Sequence, residues 1–407
     1  MDRRCTDAGA SIVSSLIPRR VLSIATLYPN SHTPRFGTFV ARSLEALAAR
    51  GDWDVTVINP IGLPPIRFGR YAALASAANS GVEHGVSVYR PTFTLIPRFG
   101  GRFNPALIAR AVLPLARKLH AERPFDIVDA QFFYPDGPAA ARIAAALGLP
   151  LSIKARGADI SYWGAKPYAL RQMQAAADRA SGLLAVSEAL ARDMAAIGLP
   201  KKKMTIHYTG LDRARFTPHD RSAARKTLAE NHGIPNEGNL LATVGALIQR
   251  KGQALVVEAL ASLPGTRLAL VGTGEDKARL EQQARTLGLA DRVHFLGSLD
   301  HGQIPVLLSA AQAMVLPSAS EGLANAWVEA LACGTPLVIT NAGGARELVQ
   351  DPSAGAIVER TPAAIADAIR LLLAVPPSPA AVAQNASRFS WEKNAEKLSQ
   401  YYGSIVG

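Results

Sequence analysis

The feature that most narrows the fold is a short apolar run, a loop and a helical apolar stripe, repeated along the chain and then restarted in its second half. Val21-Leu22-Ser23-Ile24-Ala25 is long enough for a buried parallel strand, and after the loop 28–37 the residues Phe39, Val40, Leu44, Leu47 and Ala48 recur at helical spacing. Further apolar runs fall at 55–58, 127–130, 151–153 and 183–186, the last closing at Ser187-Glu188, where a helix is expected to begin. The series then restarts at 241–244, 267–271, 293–296, 313–316 and 337–340. Strands alternating with helices build parallel βαβ units, so the expectation is an α/β chain of two doubly wound units in tandem. A length of 407 residues suits two domains. The join is expected near Gly210-Leu211-Asp212, giving a leader at 1–19, a first domain at 20–208 and a second at 209–389. Residues 390–407 are helical in pattern but too few for a domain, so they must dock on one already built.

Charge separates the two halves. Residues 1–205 hold 26 Lys+Arg against 14 Asp+Glu, and residues 206–407 hold 18 against 18, so the whole net charge of +12 lies in the first half. Such asymmetry suits an anionic partner there (nucleic acid, a membrane surface or a phosphorylated substrate) or simple solubility, since 33 of the 44 basic residues are Arg. Between His84 and Ala121 no acid occurs, yet Arg90, Arg98, Arg102, Arg110, Arg117 and Lys118 lie among bulky residues such as Phe93, Ile96, Phe99, Phe103, Ile108 and Val112. This mixture fits a segment lying on an anionic bilayer, and equally a helix with its stripe packed inward. With 48% hydrophobic residues the chain is not a disordered one. Cys5 and Cys333 make no disulfide framework, which points to a reducing, cytoplasmic setting. No stretch reads as a transmembrane helix.

In doubly wound sheets ligands bind beyond the carboxyl ends of the strands, and three such loops of the second half can share one ligand. After 241–244 comes Gly245-Ala246-Leu247-Ile248-Gln249-Arg250-Lys251-Gly252. Its adjacent cations can grip a phosphate, Arg250 by bidentate bonds and Lys251 as a point charge, although a solvated turn would read the same way. Val271-Gly272-Thr273-Gly274-Glu275 is half a dinucleotide fingerprint with Lys277 where the third glycine belongs, so a nicotinamide dehydrogenase is not supported. Gly272 and Gly274 still permit close approach of backbone to a ligand. The third segment runs from Pro317 to Gly334, with a helix expected to start near Gly322 and stop at Gly334. Free N–H groups at Gly322, Leu323 and Asn325, with the helix dipole, favour a phosphate there. Glu321 and Glu329 flank that position and can accept hydrogen bonds from hydroxyls at the two ends of an extended nucleotide sugar. The one D-x-D look-alike, Asp52-Trp53-Asp54, precedes a strand and reads as a turn.

The segment from Glu321 to Glu329, continuing Ala330-Leu331-Ala332-Cys333-Gly334-Thr335-Pro336, resembles the E-x7-E signature of retaining glycosyltransferases of family 4, which have the two-domain GT-B fold. Tyr28-Pro29-Asn30 with Gly37, Arg156-Gly157-Ala158-Asp159 in place of HG-x-D, Val186-Ser187-Glu188, Gly210-Leu211-Asp212, Lys251-Gly252 and Gly343-Gly344 with Glu347 follow in the family's order. The Arg form of the HG-x-D motif resembles that of teichuronic-acid and capsule-type enzymes. The resemblance implies that Glu321 contacts the transferred sugar and Glu329 the ribose, while Lys251 and the amides of Gly322 and Leu323 neutralise the leaving diphosphate. It puts Gly37 and Gly245 beside the donor, with Arg250 supplying a cation the family often carries where Ala246 stands. Asp159 would lie on the acceptor side, and Arg156, a permanent cation, would contact phosphate or sugar without exchanging protons. Retention is implied by front-face attack with no enzyme nucleophile, no metal and no resident cofactor. The implied partners are a nucleotide-diphosphate sugar and a lipid-linked or saccharide acceptor, with an anionic membrane surface as a further partner of the basic domain. Two alternatives stand beside it. A nucleotide-sugar epimerase on the same fold would lack an acceptor site, and a nucleic-acid-binding protein would have to show a recognition module that is not visible.

Overall fold

The computed structural model of the chain describes residues 18–66, 68–96 and 100–407. The first domain carries β1 (Arg19–Ile24), β2 (Trp53–Ile58), β3 (Ile61–Leu63), β4 (Gly81–Glu83), β5 (Val86–Tyr89), β6 (Thr92–Thr94), β7 (Ile127–Ala130), β8 (Leu151–Ala155), β9 (Gly182–Ala185) and β10 (Met204–Ile206). Its main sheet has the order β10-β9-β8-β7-β1-β2-β5-β4, parallel except for the β4–β5 pair, while β3 and β6 form a separate parallel ribbon. The second domain carries β11 (Asn239–Val244), β12 (Thr266–Val271), β13 (Val293–Gly297), β14 (Ala313–Leu316), β15 (Leu337–Thr340) and β16 (Gly355–Val358), all parallel, in the order β13-β12-β11-β14-β15-β16. The expected pair of doubly wound sheets is therefore present.

Why these runs become strands is plain from burial. β1, β7, β8, β9, β11 and β14 are covered by helices on both faces, so continuous apolar sequence is the stable choice and alternation is absent. The strands absent from the sequence reading are short ones: β3 and β6 in their own ribbon, β4, β10 and β16 at sheet edges, and β5 between β2 and β4. Their patterns are mixed or partly exposed (β10 and β16 have no fully buried residue), so their pairing is decided by neighbours instead of by hydrophobic run.

In each sheet the winding direction reverses beside the first strand. β1 lies between β7 and β2, and β11 lies between β14 and β12. Loops after strands on either side of such a point diverge and leave a crevice. Here the loops after β1 and β8 meet those after β13 and β14: Arg35 donates to Ser298 and Asp300, and Gly157 abuts Gly322.

The last helix, Trp391–Val406, returns from the second domain and lies on the first. Asn394 is its main fastening: Ser43 Oγ donates to Asn394 Oδ1 at 2.6 Å, Asn394 Nδ2 donates to Tyr208 O at 2.7 Å, and Asn394 O accepts from His207 at 2.8 Å. Tyr402 is fully buried against Trp53, ring centroids 5.3 Å apart.

Two expectations need correction, and one pair of open alternatives is narrowed. The leader was drawn to residue 19, yet Arg19 already pairs with Trp53 in β1 because its N–H reaches Asp52 O; residues 1–17 lie outside the described residues. Asp54 is no turn residue but part of β2, held by Arg20 at 3.0 Å and Arg123 at 2.8 Å. The basic, apolar stretch resolves mainly into the helix Asn104–Glu122, whose Ile108, Val112 and Ala116 pack inward while Arg110, Arg117 and Lys118 face water, so the ordinary amphipathic reading holds for the helix. Arg98 and Phe99 lie outside the described residues.

Candidate functional site

The loop after β11 ends in a short helical turn, Gln249–Lys251, and turns into the next helix at Gly252. That turn aims Lys251 at the loop after β14. Lys251 Nζ donates to Glu321 Oε1, Arg250 lies 3.6 Å from Glu321 Oε2, and Arg250 also donates to Ser320 O. Glu321 is nearly buried, its side chain 9% exposed, and carries both cations. A buried carboxylate with two cations is well compensated, and each of the three groups has capacity left for a ligand.

The helix expected near Gly322 begins later, at Asn325, and ends at Ala332. Residues 321–324 instead stay open, because Gly322 O accepts from Ser187 Oγ at 3.0 Å and from Gly344 N at 2.9 Å, which ties that loop across to the first domain. The backbone N–H groups of Gly322, Leu323 and Asn325 have no partner among the described residues. They remain available to an anion, though from an extended loop rather than from a full helical turn.

Facing them is the loop after β8. A side-chain carbon at Gly322 would lie 2.4 Å from Arg156 O, and one at Gly157 would lie 2.9 Å from Gly322 N, so the two domains meet backbone to backbone. Asp159 organises this loop: its carboxylate accepts from the amides of Phe133 (2.9 Å), Arg156 (3.0 Å), Gly157 (2.8 Å) and Ile160 (3.2 Å). It is fully buried, and burial raises its pKa against the pull of those amides. Asp159 thus does not reach the cleft, and its expected place on the acceptor side is corrected: its acceptor capacity is occupied within its own domain. Arg156 donates to Gln131 O at 2.7 Å and Gln131 Oε1 at 2.6 Å and lies over the Phe39 ring at 4.9 Å. Burial lowers its pKa to about 10, which still leaves it charged at neutral pH.

A cavity of about 340 Å³ opens between the domains, with Thr38, Phe39 and Arg42 on one wall and His301, Asn325 and Glu329 on the other. His301 sits 3.7 Å from Glu329 Oε1 and 2.8 Å from Arg215 Nη1. Since Arg215 can only donate, His301 Nδ1 accepts and Nε2 carries the proton toward Glu329. Gly37 stands at the start of the helix Thr38–Ala49 with φ 75°, and a side chain there would meet Leu27 O at 2.6 Å. Gly272 and Gly274 have a packing role: side-chain carbons there would lie 2.0 Å from Gly245 O and 2.1 Å from Leu247 O. Their lack of side chains lets the loop after β12 rest on the loop after β11, while Gly245 itself has only Leu316 and Lys251 near it, at 3.9 Å.

Two groups escaped the sequence reading. Glu347, noted only as part of a motif order, accepts from the amides of Glu188 (2.9 Å) and Ala189 (3.1 Å) and from Tyr208 Oη (2.8 Å), so a carboxylate of the second domain caps a helix of the first. Asp136, fully buried at the start of the helix Asp136–Leu147, accepts from Thr26 N at 3.0 Å and Thr26 Oγ1 at 2.6 Å, and burial raises its pKa to about 7. Only an acid at the first position of a helix could have hinted at the second. Nothing local marks the first, since its partners lie 139 to 159 residues away. Among the described residues no cluster of His, Cys, Asp and Glu could hold a metal ion.

Two family models match this chain: Glycosyltransferase Family 4 over residues 36–215 and Glycosyl transferases group 1 over residues 224–389. The putative teichuronic acid biosynthesis glycosyltransferase TuaC of Bacillus subtilis (strain 168) is 28% identical over 359 residues, 86% of this chain and 88% of that one. The D-inositol 3-phosphate glycosyltransferase of Mycobacterium tuberculosis (strain ATCC 25177 / H37Ra) is 33% identical over 247 residues, 58% of this chain and 51% of that one. Among solved structures, Anabaena HepE in complex with UDP and glucose superposes with TM-score 0.72 at 23% identity, covering 94% of this chain and 99% of that one. Sucrose-phosphate synthase from Thermosynechococcus elongatus gives 0.75 at 22% identity, covering 95% and 99%.

Proposed function

The chain belongs to the two-domain GT-B glycosyltransferases, its domains carrying the two matched models in order, and on that premise we propose that it is a metal-independent, retaining enzyme that moves a sugar from a nucleotide-diphosphate donor to a lipid-linked or saccharide acceptor of cell-surface glycan synthesis. The observation that carries this reading is the convergence of Lys251 and Arg250 on Glu321 beside the unpartnered amides of Gly322 and Leu323. Departure of a nucleoside diphosphate is helped by charges and donors already fixed where negative charge grows, each worth roughly 2.7–4 kcal/mol. Lys251, Arg250 and the two amides form such a set. In this reading Glu321 accepts from hydroxyls of the transferred sugar, and Glu329, in the interdomain cavity beside Asn325, accepts from the ribose. Arg156 acts as a fixed cation on the opposite wall. In this reading no step needs a protein nucleophile: the acceptor hydroxyl attacks on the face the diphosphate leaves, and Glu321 stays paired with Lys251 and Arg250.

A membrane-borne acceptor is supported by apolar side chains exposed on the first domain, Ile66, Phe68, Ile96 and Phe103, with Arg102 among them. UDP is the first nucleotide to test, because the HepE complex holds it. Thermal unfolding with UDP, GDP and ADP, without metal, should show one nucleotide raising the midpoint; a ligand at ~100 times its Kd stabilises by about 2.7 kcal/mol. No shift with any of the three, together with no release of nucleotide from their glucose conjugates, would sink the reading.

A further inference from the structure

Arg156 is fixed at both ends, and the strand order explains how. It follows β8, while Gln131 follows β7 and Phe39 lies on the helix after β1, and these strands are neighbours in the order β8-β7-β1. Its side chain therefore lies across the carboxyl ends of adjacent strands. Asp159 holds its backbone amide, Phe39 covers the face of the guanidinium, and Gln131 takes one edge. Nε donates to Gln131 O and Nη2 to Gln131 Oε1, which engages two of the five guanidinium N–H groups. Both N–H groups of Nη1 and the second of Nη2 have no partner among the described residues, and Nη1 reaches solvent. What remains is the end-on fork of Nη1 and Nη2, whose parallel donors match the paired oxygens of a carboxylate or phosphate. Phe39 also lines the interdomain cavity, and the Arg156 backbone abuts Gly322, so the fork sits at the crevice beside the loop that bears Glu321.

We propose that Gln131 and Asp129 are positioning residues that hold Arg156 with this fork open to an oxyanion of the donor, either its diphosphate or an acid on its sugar. The inference rests on the glycosyltransferase reading above and deepens it by saying what sets the cation on the first-domain wall. The relay has one polarity. A guanidinium only donates, so Gln131 turns Oε1 to Arg156, which leaves Nε2 to donate to Asp129 Oδ2. Glutamate would set a second acceptor against Asp129, and methionine of similar length would hold neither partner. Asp129 is fully buried in β7, in register with Ser23 of β1 and Ser152 of β8, and Ser23 Oγ donates to the same Oδ2 at 3.0 Å. Gln131 is 1% exposed. A buried amide bonded at both ends cannot swing away, so the guanidinium it grips keeps its plane before any ligand arrives. Burial works against the Arg156 charge, while Asp159 and Asp129 support it. The relay is not needed to shape the loop, because Asp159 already binds the amides of Phe133, Arg156, Gly157 and Ile160. What Gln131 and Asp129 add is the direction of the fork.

Binding, read by calorimetry on the full chain, tests this without depending on turnover. The ligands are whichever of UDP, GDP and ADP binds, with its glucose and glucuronate conjugates. Gln131→Met and Arg156→Met should each weaken at least one of these ligands by about tenfold or more, and the double variant should be no more than about twofold weaker than Arg156→Met alone. A loss shared by all three ligands assigns the fork to the diphosphate, and a loss for the glucuronate conjugate alone assigns it to the sugar acid. Thermal midpoints are read in parallel, because a purely structural Gln131 would lower the midpoint and leave affinity alone. Arg156→Lys keeps the charge without the planar fork, so it should bind at least about fivefold more weakly, and it carries the test if Gln131→Met does not fold. Losses that add in the double variant, or wild-type affinity in Gln131→Met or in Arg156→Lys, overturn the relay. A loss for both conjugates but not for the nucleotide overturns the oxyanion. Absence of binding by all three nucleotides in the unaltered chain overturns the donor reading, and this inference with it, so the two failures are told apart.

Discussion

Asp159 and Glu321 belong to two loops that meet between the domains, Asp159 to the loop after β8 and Glu321 to the loop after β14. Their surroundings differ. Asp159 is fully buried and held by four backbone amides of its own domain. Glu321 is held by two flexible cations, Lys251 and Arg250. Amides fixed in a loop cannot leave their acceptor without unfolding it, whereas side-chain cations can turn toward an incoming anion. A carboxylate bound by backbone shapes a wall, and one bound by side chains can take part in binding. Glu347 stands between these cases, bound by backbone amides that belong to the other domain.

The comparison can be broken most directly at Asp159. Asp159→Ala leaves four buried amides without an acceptor and should cost about 3–5 kcal/mol of stability by urea unfolding; a loss below ~1 kcal/mol would mean that the amides find other partners and that the residue is free for binding. Lys251→Ala should lower turnover by about 10²–10³-fold at a stability cost of up to about 3 kcal/mol, since it leaves the nearly buried Glu321 with Arg250 alone, and wild-type turnover would remove Lys251 from the site. Glu347→Ala should cost about 1–3 kcal/mol at the domain junction, seen as faster hydrogen exchange at the amides of Glu188 and Ala189 with the first-domain core unchanged. Exchange unaltered at those amides would deny the cap.

The smallest effect concerns Asp136, whose pKa in the fold is raised to about 7. Below about pH 4 both folded and unfolded states hold its proton, and between there and pH 7 the folded state alone keeps it. Stability conferred relative to Asp136→Asn should therefore fall as pH rises through that window, by at most about 1.4 kcal/mol per unit. A rise, or parallel pH profiles for the two proteins, would contradict the burial argument. His207 pulls the other way, since burial and the nearby Lys154 hold its pKa well below the usual histidine value, so its contribution is lost as pH falls below about 6.5. The variant pair isolates Asp136 from it.

The central strands were legible because strands covered on both faces must be apolar throughout, and such a run can be read without knowing its neighbours. β3 to β6, β10 and β16 were not legible, because a short strand at or next to a sheet edge exists only through its partners. The loops that meet at the cleft were legible for the same reason as the strands: they follow the strand ends, and the chain order already names them. The start of the helix at Asn325 was misread by three residues, since the contacts that hold the preceding loop open come from Ser187 and Gly344, far away in sequence.

The amino-acid order alone determined two tandem α/β units, the concentration of positive charge in the first half of the chain, and the loops that bear the cations and carboxylates. Those properties depend on hydrophobic periodicity and on counting, which are local. Only the tertiary structure decided that Asp159 looks inward while Glu321 meets Lys251, that Glu347 fastens one domain to the other, and that Arg156 is held by Gln131. Each of these is a matter of which group a charge faces, and a charge is neutralised by whatever is nearest in space, whatever its distance along the chain.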